Sequence, residues 1–275
     1  MIARRQTSGF TLVEMLVVIV VLGIVAGVLG GFIYQAVNAY RDTSERSELV
    51  DRARVALERL AREVQHAVPN SIRVLNGGAG VEFVTARSGG RLVHVTEDFG
   101  SGFRRRNRRF VTRANRTELY SVGTGQTVAS GELLVIGNSS PGDLQGLATV
   151  ATLTGISPTN AAQDGVSAAQ ILQFAAHRFP YDSPGLHYQI IDYTHEVGLS
   201  GAALYWHRAA GLGGYNGAAG WSAADPVLVD GVSRVNFSYF PGSSESGGIL
   251  TVTLGLAEAD ESISLVREIH VRNTP

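Results

Sequence analysis

The sequence predicts an α+β chain in which a long N-terminal, membrane-spanning and then amphipathic helix packs on an antiparallel β-rich globular domain. Three observations predict it. Between Arg5 and Arg41 the only formal charge is Glu14, inside an apolar run longer than the ~20 residues that cross a bilayer as a helix. From Gln35 to Val68 apolar residues recur every three or four positions among charges, the pattern of a helix with one buried face. After Pro69 the chain changes to short runs of period two separated by Gly, Pro, Asn or Ser.

The first element opens with Arg4 and Arg5, which hold the amino terminus in the cytoplasm and send the remainder outward. Met15 to Tyr40 is an uncharged stretch of about 26 residues, with the span itself at about 12–33. No polar face appears from Met15 to Ile33, so a soluble core helix is not expected. A secretory signal has an apolar stretch of roughly 7–15 residues with its cleavage site after it; this stretch is longer and carries an acid at its start. A plain signal anchor fits the length but leaves Gly9-Phe10 and Glu14 without a role. A carboxylate at the edge of such a helix costs on the order of 3 kcal/mol if carried toward hydrocarbon, so Glu14 calls for a positive partner. Gly23, Gly27 and Gly31, with Gly30 beside them, repeat at a spacing that lets membrane helices approach closely.

In the amphipathic half, residues 35–68, Leu49, Ala53, Leu57, Leu60, Val64 and Val68 mark the apolar face, and Arg59–Glu63 and Glu58–Arg62 stand at i,i+4 spacing. Pro69 ends the helix at or just before Val68. A helix over residues 10–68 would measure roughly 88 Å.

The β-rich region, residues 70–275, contains short runs at Ser71–Leu75, Val81–Thr85, Arg91–Thr96, Thr117–Val122, Glu132–Ile136, Gln170–Ala175, Tyr188–Asp192 and Ala202–His207. Longer runs at Val232–Phe240, Ile249–Ala257 and Ser262–Arg272 form an antiparallel meander, in which Val235, Phe237 and Tyr239 share one face. Gly77–Gly80 and Gly211–Gly220 are expected surface loops, and a subdivision is placed near residues 161–165.

The formal net charge of −1 gives no indication of a nucleic-acid partner, and the chain has no cysteine for a disulfide, a thiolate nucleophile or a thiolate metal site. Seven arginines, including Arg104, Arg105, Arg106, Arg108 and Arg109, fall in residues 101–116 with no acid among them. The run suits phosphate binding, and suits better a solvated hairpin or a docking patch for an acidic sister subunit. His187 and His195, near Asp182 and Asp192, match no metal-ligand spacing, and Asp143, Asp164, Asp225 and Asp230 form no calcium-loop pattern. The sequence holds no nucleophile elbow, P-loop, zinc-protease motif or dinucleotide fingerprint, so neither an enzyme nor a cofactor is expected.

The run Ser8-Gly9-Phe10-Thr11-Leu12-Val13-Glu14 resembles the class III leader junction of type IV pilins and type II secretion pseudopilins. The resemblance implies a leader, residues 1–9, removed by a prepilin peptidase between Gly9 and Phe10, and N-methylation of Phe10. Glu14 then pairs with the Phe10 amine of a neighbouring subunit and sets axial register. Partners implied are the prepilin peptidase, other major and minor pilins through the N-terminal helix, and the inner membrane, with the β domain periplasmic before assembly into a pilus. Ala56-Leu57-Glu58-Arg59-Leu60-Ala61-Arg62-Glu63-Val64, Pro69-Asn70-Ser71-Ile72-Arg73-Val74, Val81-Glu82-Phe83-Val84 and the ending Glu268-Ile269-His270-Val271-Arg272 are similar to minor pilins of the mannose-sensitive haemagglutinin (MSHA) pilus. Minor pseudopilins of the J class share the same plan, and a DNA-binding minor pilin for DNA uptake is the further alternative. Residues 125–225 carry no such likeness.

Overall fold

The computed structural model describes residues 11–92, 115–122, 127–158, 169–181, 183, 185–242, 247–259 and 261–272. It shows the α+β architecture expected from the sequence, one long apolar helix and a large antiparallel β domain. By its internal contacts the chain divides into two units, Met1–Leu49 and Val50–Pro275.

Helix α1 (Leu12–Gln65) contributes to both units. In the first unit every side chain from Thr11 to Val37 is exposed, the apolar ones included. Among the described residues this is the one helix long and apolar enough to cross a membrane. In the second unit the helix turns Ala53, Ala56, Leu57, Leu60, Ala61 and Val64 inward, all nearly inaccessible to solvent. It stops at Gln65, three residues short of Val68. His66 and Ala67 close a tighter last turn on Glu63 and Val64. Pro69 disfavours a helical Val68, and the freed backbone bonds strand β2 (Gly80–Leu92) instead: Val68 N–H donates to Val84 O at 2.8 Å and Ala86 N–H to His66 O at 3.1 Å.

Strand β1 (Arg73–Leu75) turns through Asn76 and Gly77, both in the left-handed region, into β2. The next strands are β3 (Arg116–Val122), β4 (Leu133–Val135), β5 (Val150–Pro158), β6 (Ala169–His177), β7 (His187–Ser200), β8 (Ala203–Ala210) and β9 (Val227–Asp230). A five-residue helix α2 (Pro141–Gln145), capped by Ser140, separates β4 from β5. The long strands β2 and β7 pair antiparallel and serve two structures at once. At one end β2 continues to β3, then β6, β5, β4 and back to β7, a closed ring of six strands. Leu119, Leu134, Ile136, Leu153, Leu172, Phe174, Tyr188 and Ile190 fill it. At the other end β1 and β8–β9 extend the same pair into an open sheet. Strands β10 (Val232–Phe240), β11 (Gly248–Glu258) and β12 (Glu261–Val271) form the separate antiparallel meander, within a residue of the expected bounds. Its buried face holds Phe237, Leu250, Val252, Leu254, Leu256 and Ile269, the period-two set.

Candidate functional site

The sequence points to the start of α1, and the structure gives that start a defined geometry. Thr11 is the residue before the helix; its Oγ1 accepts the backbone N–H of Glu14 at 3.3 Å, and its carbonyl accepts the N–H of Met15 at 3.2 Å. This is half of a capping box: a threonine satisfies a helix N–H that would otherwise lack a partner, and an acid stands three residues on, where it complements the helix dipole. A threonine followed three residues later by glutamate before an apolar run is the sequence signal of this cap. Beyond this turn, Gly23, Gly27, Gly30 and Gly31 lie in uninterrupted helix and open on empty space, so a second helix can approach their backbone.

Gly9, Phe10, Arg104, Arg105, Arg106, Arg108 and Arg109 lie outside the described residues, as do Asp164, Asp182 and the expected subdivision at 161–165.

The β domain contains a polar layer that the sequence did not disclose. Glu82 and Glu196 stand directly opposite each other on β2 and β7, 0% and 1% exposed. Residues 211–225, between β8 and β9, strap over them. Asn216 N–H donates to Glu82 Oε1 at 3.1 Å and Gly220 N–H to Glu196 Oε2 at 2.5 Å, while Tyr215 Oη donates to Ser71 O at 2.6 Å. Arg73 Nε donates to Glu82 Oε2 at 2.9 Å, and its guanidinium lies 4.2 Å from the Tyr215 ring centroid. Burial raises the pKa of both carboxylates; Arg73 opposes this at Glu82, and the Gly220 amide at Glu196. Trp221 lies over Gly80 and Gly198, a cross-strand pair, where a Cβ on Gly198 would sit 2.0 Å from the indole. The loop expected at Gly211–Gly220 is therefore a cover over two acids.

His195 is a core residue, 2% exposed, stacked on Phe83 with centroids 5.1 Å apart. Trp206 Nε1–H donates to its Nδ1 at 2.9 Å, which assigns the proton to Nε2, 3.0 Å from Thr85 Oγ1; that hydroxyl in turn donates to Tyr193 O at 3.3 Å. Burial lowers its pKa to about 4, helped by Arg208. Asp143 holds the start of α2 through Ser139, Asp225 bonds His207 and Ser222, and Asp230 bonds Arg52. Among the described residues no three His, Asp or Glu come together as a metal site.

A model of the prokaryotic N-terminal methylation motif matches residues 4–30. No curated protein and no solved structure matches the chain. The motif, and the exposed apolar helix that begins within it and has the length and composition of one membrane span, support a type IV pilin-like or pseudopilin subunit.

Proposed function

We propose that the chain is a minor type IV pilin of the MSHA kind, of the type of the biogenesis protein MshO. It acts as a structural and assembly subunit once prepilin peptidase has cut between Gly9 and Phe10 and methylated Phe10. One observation supports the pilin reading: the methylation motif at residues 4–30 covers the start of a helix whose apolar side chains from Leu12 to Val37 find no cover among the described residues. Such a surface is stable in a bilayer or against like helices, and a pilin uses both in turn.

Cleavage after Gly9 creates an ammonium at Phe10, one residue before the Thr11 cap. Glu14 lies one helical turn further along, in apolar surroundings. Pairing Glu14 with the Phe10 amine of an adjacent subunit removes two uncompensated charges from a low-dielectric interior and fixes the axial register of the two helices. Before cleavage the Phe10 nitrogen is a neutral peptide amide and offers Glu14 no positive charge, which ties polymerisation to processing. The periplasmic β domain follows as cargo on the helix.

The test separates processing from assembly. Glu14→Val keeps the cleavage site and the apolar helix, so the variant should be cut and methylated normally yet be missing from sheared filaments. Wild-type incorporation of Glu14→Val would refute the pairing.

A further inference from the structure

Where the chain leaves α1, the β domain borders a cleft of about 560 Å³, inside the ~300–1,000 Å³ range of small-molecule sites. Its sides come from distant parts of the sequence: residues 65–69 at the helix end, 86–90 of β2 beside 187–189 of β7, and 135–138 at the end of β4. Arg272, the residue after β12, completes the rim. The walls are bonded to one another. Asn138, 2% exposed, donates from Nδ2 to Pro69 O at 2.6 Å, and Asn70 Nδ2 donates to Asn138 O at 3.0 Å. The backbone bonds of Val68 and Ala86 tie the same segment to β2. The fold itself therefore sets the shape of the cleft and leaves little ordering for a ligand to impose.

The lining is chemically one-sided. It carries Arg87, Arg272, His66 and His187, and no carboxylate. Glu63 and Asp192 line a neighbouring cleft of about 380 Å³ that shares only His66 and Ala86 with this one. Arg87 is already engaged, donating to Thr127 O at 3.0 Å and to the Glu132 carboxylate. Arg272 is not: among the described residues its guanidinium has no ion pair or hydrogen bond, and the His187 ring has no hydrogen-bond partner. His66 gives its Nδ1–H to Arg62 O at 2.8 Å, which leaves Nε2 for a ligand. Gln65 and Gln189 add neutral donors, Pro69 and Val135 add apolar wall, and Gly89 and Gly90 present backbone where other residues would present side chains.

We infer that this cleft binds a small organic oxyanion, a carboxylate or phosphate on a compact body, with Arg272 as its principal cation. A guanidinium without an acid matches either oxyanion through two parallel N–H donors. The cleft is far larger than a bare inorganic anion, and its apolar wall gives an organic body something to rest on. The site does not rest on the filament-subunit reading, because every lining residue lies beyond the membrane-length run.

The full-length chain in non-ionic detergent at pH 7 is titrated with inorganic phosphate, phenyl phosphate and benzoate. Calorimetry reads the affinity, and histidine ring NMR signals read the place. Saturable binding of phenyl phosphate or benzoate is expected, at least roughly fivefold tighter than inorganic phosphate because the ring is buried, and the better of the two identifies the oxyanion. The signals of His66 and His187 should move while that of the core His195 stays. Arg272→Gln, at an exposed position, should weaken binding about tenfold, the worth of a charged hydrogen bond, with an unchanged urea midpoint; Gln189→Trp, which fills the cleft, should abolish it. No saturable binding of either organic anion, inorganic phosphate binding as tightly as both, or Arg272→Gln binding like the wild type would overturn the inference.

Discussion

His195 offers the most quantitative test of how the β domain is held together. In the fold its imidazole is neutral, with Nδ1 accepting from Trp206 and Nε2–H directed at Thr85. Protonation at Nδ1 would set two donors against each other inside the core. The pKa accordingly falls from the 6.5 of a free imidazole to about 4, through burial first and Arg208 second. The unfolded chain therefore binds a proton through this window that the folded chain refuses, so stability is complete above about pH 6.5 and is lost as pH falls toward 4. At ~1.36 kcal/mol per pH unit the full loss is about 3 kcal/mol, of which about 2.5 kcal/mol is gone by pH 4.5. Glu82 and Glu196 act with the opposite sign. Their raised pKa values mean that the folded state takes up protons first, so acidification above the carboxylate range stabilises them. Urea unfolding of the full chain in detergent, compared with His195→Gln at pH 7.5 and 4.5, removes the carboxylate contribution because both chains share it. The wild-type advantage should shrink by about 2.5 kcal/mol between the two pH values. An advantage that does not change with pH would refute the neutral, doubly bonded imidazole.

Arg73→Ala leaves Glu82 buried without its cation and should cost about 3–5 kcal/mol near pH 7 by denaturant unfolding, with a smaller loss at acid pH, where the carboxyl is neutral. Gly198→Ala drives a methyl group into Trp221 and should cost about 1–3 kcal/mol by thermal melting, much of it recovered when Trp221→Ala is added to the same chain. Thr11→Ala removes the acceptor of the Glu14 amide and should weaken the first helical turn by about 1 kcal/mol, read as faster hydrogen exchange at Glu14 in micelles.

The helix and the terminal meander were legible because each shows a single period over many residues: an apolar run no soluble helix would carry, and Leu250, Val252, Leu254 and Leu256 alternating without a break. The middle of the domain was harder to read. Strand β2 was expected as two runs, Val81–Thr85 and Arg91–Thr96, because Ser88-Gly89-Gly90 reads as a turn. In the fold Gly89 and Gly90 instead stay in the strand, where a Cβ would press on Tyr188, and two register shifts bend β2 so that it serves both the open sheet and the ring. The run expected at Tyr188–Asp192 continues in the fold as strand β7 through Thr194, His195 and Glu196, which are buried because Thr85 and Trp206 bond His195, the Gly211 carbonyl accepts the Thr194 hydroxyl and the Gly220 amide bonds Glu196. Strands β5 and β9 and helix α2 lacked a period long enough to register. Glu82 and Glu196 are 114 residues apart in the sequence, and nothing local says that they will meet. At the helix start the apolar run and Glu14 were legible from residue type alone, whereas the Thr11 cap required attention to a three-residue spacing.

The central claim is that this chain becomes a polymer subunit by losing nine residues and gaining a methylated phenylalanine. Mass spectrometry of the amino-terminal peptide from sheared filaments tests it most directly. The account predicts a peptide beginning at N-methylated Phe10, while an intact Met1 in both the filament and membrane fractions would contradict it.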